Sequence, residues 1–131
     1  MVDMLTEQVI RIKEWNTVSG SLDPKDIKRM QEMLERVPIN KFTAVKYLEN
    51  DDSVTLSLNE IDLVENGADE QEAKMKLAKS ILEYSFDYYK DLNLNFHSRN
   101  RGDHFPYVTK ALKIENPEKI GDMIQCQDGK N

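Results

Sequence analysis

The chain has 131 residues, of which 39% are hydrophobic and 32% are charged, and its 24 Asp and Glu outnumber its 18 Lys and Arg. This length suits one domain with a sizeable core, and the sequence argues against global disorder, a membrane-spanning helix and a secretory signal. The single cysteine, Cys126, has no partner for an internal disulfide, so we expect one acidic, soluble, cytoplasmic domain over 1–131.

The first predicted element is a helix over residues 5–15. Its apolar residues recur at i, i+4 and i+7, which places Leu5, Val9 and Ile12 on one face. The following Thr-Val-Ser-Gly-Ser stretch, residues 17–21, predicts a flexible break.

A second helix is predicted to begin at Asp23 and Pro24. Aspartate is a favourable N-cap, and proline suits the first helical position because an N–H there would lack a helical partner. Pro38 ends the helix, since the residue before a proline disfavours the helical conformation. The apolar face of this helix consists of Ile27, Met30, Leu34 and Val37.

Residues 42–64 predict a β-hairpin. Residues 42–48 are rich in strand-forming side chains, and residues 54–58 alternate between apolar and polar after an acidic turn. Ile61 and Leu63 continue the alternation after a slip of phase, which indicates a bulge and a short additional strand.

The longest predicted helix spans residues 70–92. Asp69 and Glu72 have the spacing of a capping box, and at 1.5 Å per residue the helix is about 34 Å long, enough to cross a small sheet. Leu94 and Phe96 alternate with polar neighbours and predict a short strand after it. The predicted core face of the helix consists of Ala73, Leu77, Ile81, Tyr84 or Ser85, Tyr88 and Leu92.

The last third predicts a polar loop over residues 98–104, two short helices and a frayed end. Pro106 starts the first helix, Asn116 and Pro117 repeat the cap-then-proline pattern before the second, and residues 127–131 are expected to fray. The apolar residues of these helices are Val108, Ala111 and Leu112, then Ile120, Met123 and Ile124.

Together these elements predict an α+β fold with N-terminal helices, a small antiparallel sheet covered by one long helix, and short C-terminal helices. Within a single domain we distinguish an N-terminal helical segment, 1–40, a core of hairpin and long helix, 41–97, and a C-terminal helical segment, 98–131. Residues 41–96 carry 6 basic and 12 acidic residues, a net charge of −6 that equals the charge of the whole chain. An acidic surface repels phosphate backbones and attracts basic partners.

The sequence contains no pattern typical of a metal or catalytic site. The soft metal ligands are His97, His104 and Cys126, and a spacing of seven positions between the histidines fits no zinc motif. No G-x-S-x-G motif or phosphate-binding loop with its lysine occurs, and the lone thiol has no catalytic motif around it. We therefore expect no enzyme activity, no metal and no cofactor.

Residues 105–125 have the size of a helix-turn-helix unit, which raises the question of DNA binding. The second helix would present Glu118 and Asp122 without a basic excess, which disfavours it as a recognition helix in the major groove. Arg99 and Arg101 in the preceding loop are more typical of solvated side chains. We expect DNA binding only within a complex.

Four aromatic residues in the second half of the long helix cover more than one of its faces. Tyr84 and Tyr88 belong to the core face, whereas Phe86 and Tyr89 point elsewhere on the helical wheel. In one interpretation they pack under the N-terminal helices. In the other they line a partner-binding groove, because exposed aromatics are enriched at interfaces.

Two motifs in the core segment carry a family resemblance. Residues 47–58, Tyr-Leu-Glu-Asn-Asp-Asp-Ser-Val-Thr-Leu-Ser-Leu, predict a hairpin around an acidic turn. Residues 67–73, Gly-Ala-Asp-Glu-Gln-Glu-Ala, lead into the long helix. This arrangement resembles the antitoxins of bacterial type II toxin–antitoxin pairs, especially the HicB-like core, and the flanking helices are similar to those of RelB-like antitoxins.

The resemblance implies a protein that binds and neutralises a small basic ribonuclease-type toxin, with autoregulation of its operon as an additional expectation. The acidic core segment would steer a basic partner, while buried apolar anchors would supply affinity. The alternative is a homo-oligomeric structural or regulatory module without a toxin, and we expect a homo-oligomer in either case. The predicted partner-binding residues are Asp51, Asp52, Glu70, Glu83, Phe86 and Tyr89.

Overall fold

A computed structural model of the protein describes residues 22–36 and 40–129, so the predicted helix over residues 5–15 lies outside the described residues. The helices are α1 (Pro24–Arg36), α2 (Glu70–Lys90), α3 (Leu92–His97), α4 (Phe105–Ile114) and α5 (Pro117–Met123), with a 3-10 turn at Gly102–His104. The strands are β1 (Phe42–Leu48), β2 (Val54–Leu58), β3 (Val64–Gly67) and β4 (Ile124–Asp128). This confirms the predicted α+β class.

Helix α1 begins where its capping residues predict. The Asp23 carboxylate accepts a hydrogen bond from the Lys25 backbone N–H at 2.8 Å, and the Asp23 carbonyl accepts from the N–H groups of Asp26 and Ile27. Met30 is fully buried on the inner face of the helix. In the described residues the helix ends at Arg36.

The four strands form one sheet in the order β3-β2-β1-β4. The predicted hairpin is confirmed, with β1 and β2 antiparallel and Lys46 opposite Leu56. The additional strand lies at Val64–Gly67, just after the predicted Ile61 and Leu63. Ile61 is instead fully buried in a tight turn in which the Leu63 N–H donates to the Ile61 carbonyl, so both residues precede the strand.

Strand β4 corrects the prediction for the end of the chain. Ile124 was predicted to belong to the last helix and residues 127–131 to fray, but residues 124–128 pair in parallel with β1. The Gly129 N–H extends this pairing by donating to the Lys46 carbonyl at 2.7 Å. A strand that pairs with a segment some eighty positions away has a stabilising partner that local sequence patterns do not reveal.

Helix α2 confirms the predicted long helix and its cap. The Asp69 carboxylate accepts a hydrogen bond from the Glu72 N–H at 2.8 Å. Gly67 lets the sheet meet the first turn of the helix, because a Cβ on Gly67 would lie 2.9 Å from the Ala73 Cα and closer still to its nitrogen. The predicted core-facing residues are buried along the helix, with Tyr84 half-buried beside the buried Ser85.

The predicted strand at Leu94 and Phe96 is wrong, because these residues belong to helix α3. Leu92 and Phe96, four positions apart, are both buried, which fits one face of a helix. The Asn95 amide donates to the Tyr88 carbonyl at 2.9 Å, so α3 satisfies a backbone group at the end of α2. A run of five residues is too short to distinguish this spacing from strand alternation.

Two hydrophobic clusters form the interior. The sheet core lies between the sheet and helices α2, α4 and α5, and it contains Phe42, Ala44, Val54, Leu56, Leu58, Ile61, Ala73, Leu77, Ala78, Ile81, Ala111, Ile120 and Ile124. The aromatic core joins α1, the end of α2, α3 and α4, and it contains Leu22, Met30, Tyr88, Tyr89, Leu92, Phe96, Phe105 and Val108. Among residues 22–36 and 40–129, no helix is both long enough and apolar enough to cross a membrane.

Candidate partner-binding surface

The acidic turn between β1 and β2 projects from one end of the sheet. Asp51 and Asp52 are both exposed, and Asp52 has a positive φ of 68°, a conformation that aspartate tolerates in tight turns. The Ser53 hydroxyl and backbone N–H donate to the Asp51 carboxylate. These hydrogen bonds hold the pKa of Asp51 below its ordinary value, so the turn is negatively charged at neutral pH.

Glu70 lies at the same end of the sheet, in the first turn of α2. The pairing of Val54 with Gly67 brings the acidic turn and the start of the helix to this end. The Glu70 carboxylate lies 3.2 Å from the Lys46 amine and 3.8 Å from the Lys74 amine. The hydrogen bond and charge of Glu70 raise the pKa of Lys46, so part of the predicted negative charge is already compensated within the chain.

A groove with a volume of about 740 Å³ separates the start of α2 from α5. Its walls carry four carboxylates, from Asp69, Glu70, Glu118 and Asp122. Lys74 also lines the groove, and Met75, 37% exposed, adds an apolar side chain. We refer to this feature, defined by these four carboxylates together with Lys74 and Met75, as the acidic groove.

Sequence reasoning did not assign three carboxylates of the groove to a site, and helix α5 supplies two of them, Glu118 and Asp122. The Asn116 side chain caps α5 by accepting from the N–H groups of Glu118 and Lys119, as the sequence predicts. Ile120 is fully buried, and a Cβ on Gly121 would lie 3.8 Å from the Ala78 Cβ, an ordinary contact distance between the helices. The cap was recognisable in the sequence, but the packing of α5 on α2 depends on contacts between distant segments.

The other three predicted site residues lie along the second half of α2. Glu83 is exposed and stands thirteen positions after Glu70, or about 20 Å along the helix axis. Phe86 is half-buried. The six predicted residues therefore do not form one cluster, and Glu70 is the member that the fold places in the acidic groove.

Tyr89 belongs to the aromatic core, where it is only 6% exposed. Its ring stacks on Phe105 with centroids 6.3 Å apart, and its hydroxyl shares a hydrogen bond with Thr109. Burial raises the pKa of Tyr89 well above its ordinary value. For Tyr89, this placement matches the interpretation of a second packed surface, which here includes Met30 of helix α1.

The histidines and the cysteine have separate surroundings. His97 lies 2.9 Å from the Asp26 carboxylate, whereas His104 is buried with its Nδ1 atom 2.6 Å from the Tyr84 hydroxyl. Burial lowers the pKa of His104 and raises that of the half-buried Cys126. Within residues 22–36 and 40–129, no group of three His, Cys, Asp or Glu residues is arranged to hold a metal ion.

Comparisons with known proteins place the chain among antitoxins. The model of a PHD-like family, described as antitoxins of RelE/RelB toxin–antitoxin systems, matches residues 8–126. A crystal structure from Syntrophomonas wolfei subsp. wolfei, named as the antitoxin part of a proposed toxin/antitoxin system, is 29% identical in sequence. The two structures are similar with a TM-score of 0.64, over 78% of this chain and 71% of that one.

No curated protein matches the chain. The resemblance to antitoxins is confirmed by the family model and by the solved structure, while the finer HicB-like and RelB-like subtypes stay predictions. The family match covers most of the chain and includes both the acidic turn and the acidic groove. The chain therefore belongs to the PHD-like family of antitoxins of RelE/RelB toxin–antitoxin systems.

Proposed function

We propose that the protein binds and neutralises a small basic ribonuclease-type toxin, and that the acidic groove is the surface on which the toxin docks. Membership of an antitoxin family implies a cognate toxin partner and favours a non-enzymatic role. The observation that carries the proposal is the groove itself, in which two helices present four carboxylates around an exposed methionine.

The charge of the groove suits a ribonuclease partner for a physical reason. An enzyme that binds RNA needs basic residues where the phosphates lie, because most of the affinity for nucleic acid comes from phosphate contacts. Carboxylates on an antitoxin would occupy the same basic residues and so exclude RNA. Charge complementarity of this kind mainly accelerates encounter and sets register, while apolar contacts such as those of Met75 contribute to affinity.

We further propose that operator binding, through which the protein would autoregulate its operon, occurs in the complex with the toxin. Helices α4 and α5 have the length of a helix-turn-helix pair, but α5 lines the acidic groove with Glu118 and Asp122. These carboxylates would repel DNA phosphates unless a basic partner covered them.

A pair of matched double variants tests the docking surface. Glu118→Lys with Asp122→Lys reverses two charges four positions apart in the groove, while Glu83→Lys with Asp87→Lys reverses two exposed charges four positions apart on α2. The net charge changes equally in both. Against a small basic protein encoded beside this gene, where one is found, we expect the groove variant to associate about ten-fold more slowly at low ionic strength, with dissociation changed less.

The control variant should associate within about two-fold of the wild-type rate, because its charges lie farther from the docking surface. Equal slowing by both variants would mean that only net charge matters and would remove the groove from the proposal. Stronger slowing by the α2 variant would move the docking surface to Glu83 and Phe86. If the wild-type chain bound no such protein, the homo-oligomeric module would become the better interpretation.

A further inference from the structure

The sheet ends in two edges that differ in how they are protected. At one edge, the Asn66 carbonyl of β3 accepts a hydrogen bond from the Lys76 amine of α2 at 3.0 Å. At the other edge, β4 contains neither lysine nor proline, the residues that commonly prevent an exposed strand from pairing with another chain. Its one charged residue, Asp128, is the last of the strand. Within residues 22–36 and 40–129, no strand lies beyond β4, so this edge has room for a further strand.

The register of β4 shows which of its backbone groups point outward. The Gly129 N–H donates to the Lys46 carbonyl on β1, and a strand directs the N–H and C=O groups of every second residue to the same side. The two glutamines of β4 therefore bond to β1 as well, while Cys126 and Asp128 direct their N–H and C=O groups away from the sheet. We refer to these four outward groups as the free edge.

The acidic groove lies beside the free edge. Helix α5, which forms one wall of the groove, leads directly into β4, and the Ile124 N–H donates to the Gly121 carbonyl at this junction. On the other wall, Glu70 contacts Lys46, the residue of β1 that is paired with Asp128. A strand added to the free edge would therefore lie close to the carboxylates of the groove.

The two faces of β4 differ in their surroundings. The Cys126 side chain packs against the sheet core, where burial raises the pKa of its thiol and the charges of Lys74 and Glu70 act on it. Gln125 and Gln127 lie on the opposite face of the sheet, and both are exposed and uncharged. Successive side chains of an added strand would point alternately to the charged groove and to this neutral face.

We propose that the free edge receives an extended segment of the toxin as a fifth strand, with basic side chains at every second position directed to the acidic groove. This inference rests on the proposed function, because it takes the toxin as the partner and adds how it binds. In strand addition, main-chain hydrogen bonds provide affinity and alternate side chains provide specificity. A second copy of this chain suits the free edge less well, since it carries the same charge of −6 and would set one acidic groove beside another.

Exchange rates of single backbone amides in the full chain, measured by NMR, test the free edge. In the free chain we expect the Cys126 and Asp128 amides to exchange faster than those of Gln125 and Gln127, which bond to β1. The probe is a blocked peptide of about seven residues in which Lys and Thr alternate, since Thr favours strands. With about four backbone hydrogen bonds to the edge, its Kd should be on the order of 1 mM. At about 4 mM it should slow exchange at Cys126 and Asp128 about five-fold.

A peptide of the same sequence with methylated backbone nitrogens is the control for charge, because it keeps every lysine and lacks the N–H donors of a strand. We expect this peptide to leave exchange at Cys126 and Asp128 unchanged. Strand addition is overturned if both peptides slow exchange equally or if neither does. It is also overturned if the two amides of the free chain are already as protected as those of the glutamines, because the edge is then not free.

A matched pair of variants tests the same edge from the side of the protein. Cys126→Pro removes one outward N–H group without removing a bond to β1, and Cys126→Ala keeps the N–H group. We expect the proline variant to bind the Lys-Thr peptide about ten-fold more weakly than the alanine variant, and equal binding would contradict the proposal. Equal thermal midpoints show that both variants are folded. If Cys126→Pro does not fold, the two peptides still test the edge on the wild-type chain.

Failure of strand addition and failure of the proposed function give different results. Suppose that Glu118→Lys with Asp122→Lys slows association with a small basic protein encoded beside this gene, while Cys126→Pro binds that protein as well as Cys126→Ala does. The acidic groove is then the docking surface and strand addition is wrong. If instead no such protein binds the wild type, but the Lys-Thr peptide slows exchange at the free edge, the edge accepts a basic strand and the toxin is wrong as its source.

Discussion

The sheet core and the aromatic core are built on different principles although α2 runs through both. The sheet core is formed by aliphatic side chains and one phenylalanine, which pack without a directed bond. The buried polar residues of the described chain are Ser85, Asn95, His104 and Thr109, and each has a hydrogen bond. Asn95 and Thr109 bond to Tyr88 and Tyr89 of the aromatic core, and His104 bonds to Tyr84 at its edge, whereas Ser85 donates to the Ile81 carbonyl. The stability of the sheet core depends on removing apolar surface from water. The stability of the aromatic core depends on the geometry of its hydrogen bonds as well.

This difference predicts that substitutions affect the stability of the two cores in different ways. An apolar core tolerates changes of shape but not of polarity, because an uncompensated charge has no partner there. A core with internal hydrogen bonds is sensitive to the loss of single polar atoms, since the remaining partner is left buried and unbonded. The following variants separate these two behaviours.

The largest effect is expected in the sheet core from Leu56→Asp. Leu56 is fully buried, and an unpaired carboxylate there should reduce the free energy of unfolding by about 4 kcal/mol or more. Thr55→Asp is the control, because Thr55 lies on the face of β2 opposite the buried Leu56 and its replacement should cost no more than about 1 kcal/mol. Urea denaturation measures both. Equal losses would mean that the assigned strand register is wrong.

Gly67→Ala tests the junction between the sheet and α2. Its Cβ would collide with the Ala73 backbone, so we expect a loss of about 1–3 kcal/mol in the free energy of unfolding. Gly121→Ala is the matched control, because its Cβ would lie 3.8 Å from that of Ala78 and alanine favours the helix by about 0.5–1 kcal/mol. The midpoint of thermal unfolding should therefore fall for Gly67→Ala and rise for Gly121→Ala. A shift in the same direction for both variants would contradict this packing.

Asn95→Ala tests whether hydrogen bonds contribute to the stability of the aromatic core. The substitution removes the amide that bonds to the Tyr88 carbonyl and the oxygen that accepts from Arg101, at a cost of about 1–3 kcal/mol. Asn93→Ala, at a half-buried position of the same short helix, should change stability by less than about 0.5 kcal/mol. Similar values for both in chemical denaturation would show that the hydrogen bonds of Asn95 contribute little.

The smallest expected effect is a pH dependence of the free energy of unfolding that comes from His104, beside the aromatic core. Burial lowers the pKa of His104, so the unfolded chain binds its proton more readily than the folded one. The contribution of neutral His104 to stability is therefore present above the ordinary histidine pKa of about 6.5 and is lost as the pH falls through the lower folded value.

His104→Gln removes this titration. Between pH 7.5 and 5.5, the midpoint of thermal unfolding should fall more for the wild type than for the variant. Leu56→Ala, which changes only the sheet core, should keep the wild-type slope. A steeper fall in His104→Gln than in the wild type would contradict the direction of the pKa shift.

Local signals predicted most of the elements. The Asp69 cap and the spacing of the apolar residues placed α2 within two residues of its end, and the alternation of residues 54–58 placed β2. The antitoxin family implies a cognate toxin partner, while the basic character of that partner, which the acidic excess of residues 41–96 predicts, stays a prediction. The predictions for α3 and β4 were wrong, because each of these elements contains too few residues to distinguish one periodicity from another.

What the sequence determined by itself is the set of contacts between near neighbours, namely caps, turns and the inner faces of helices and strands. The tertiary structure decided which distant segments meet: β4 with β1, and α5 with the start of α2. Caps and apolar stripes arise from neighbours within a few residues, so the sequence displays them directly. The acidic groove arises from segments far apart in the chain, where many pairings satisfy the local pattern equally and only the packing of the whole core selects one.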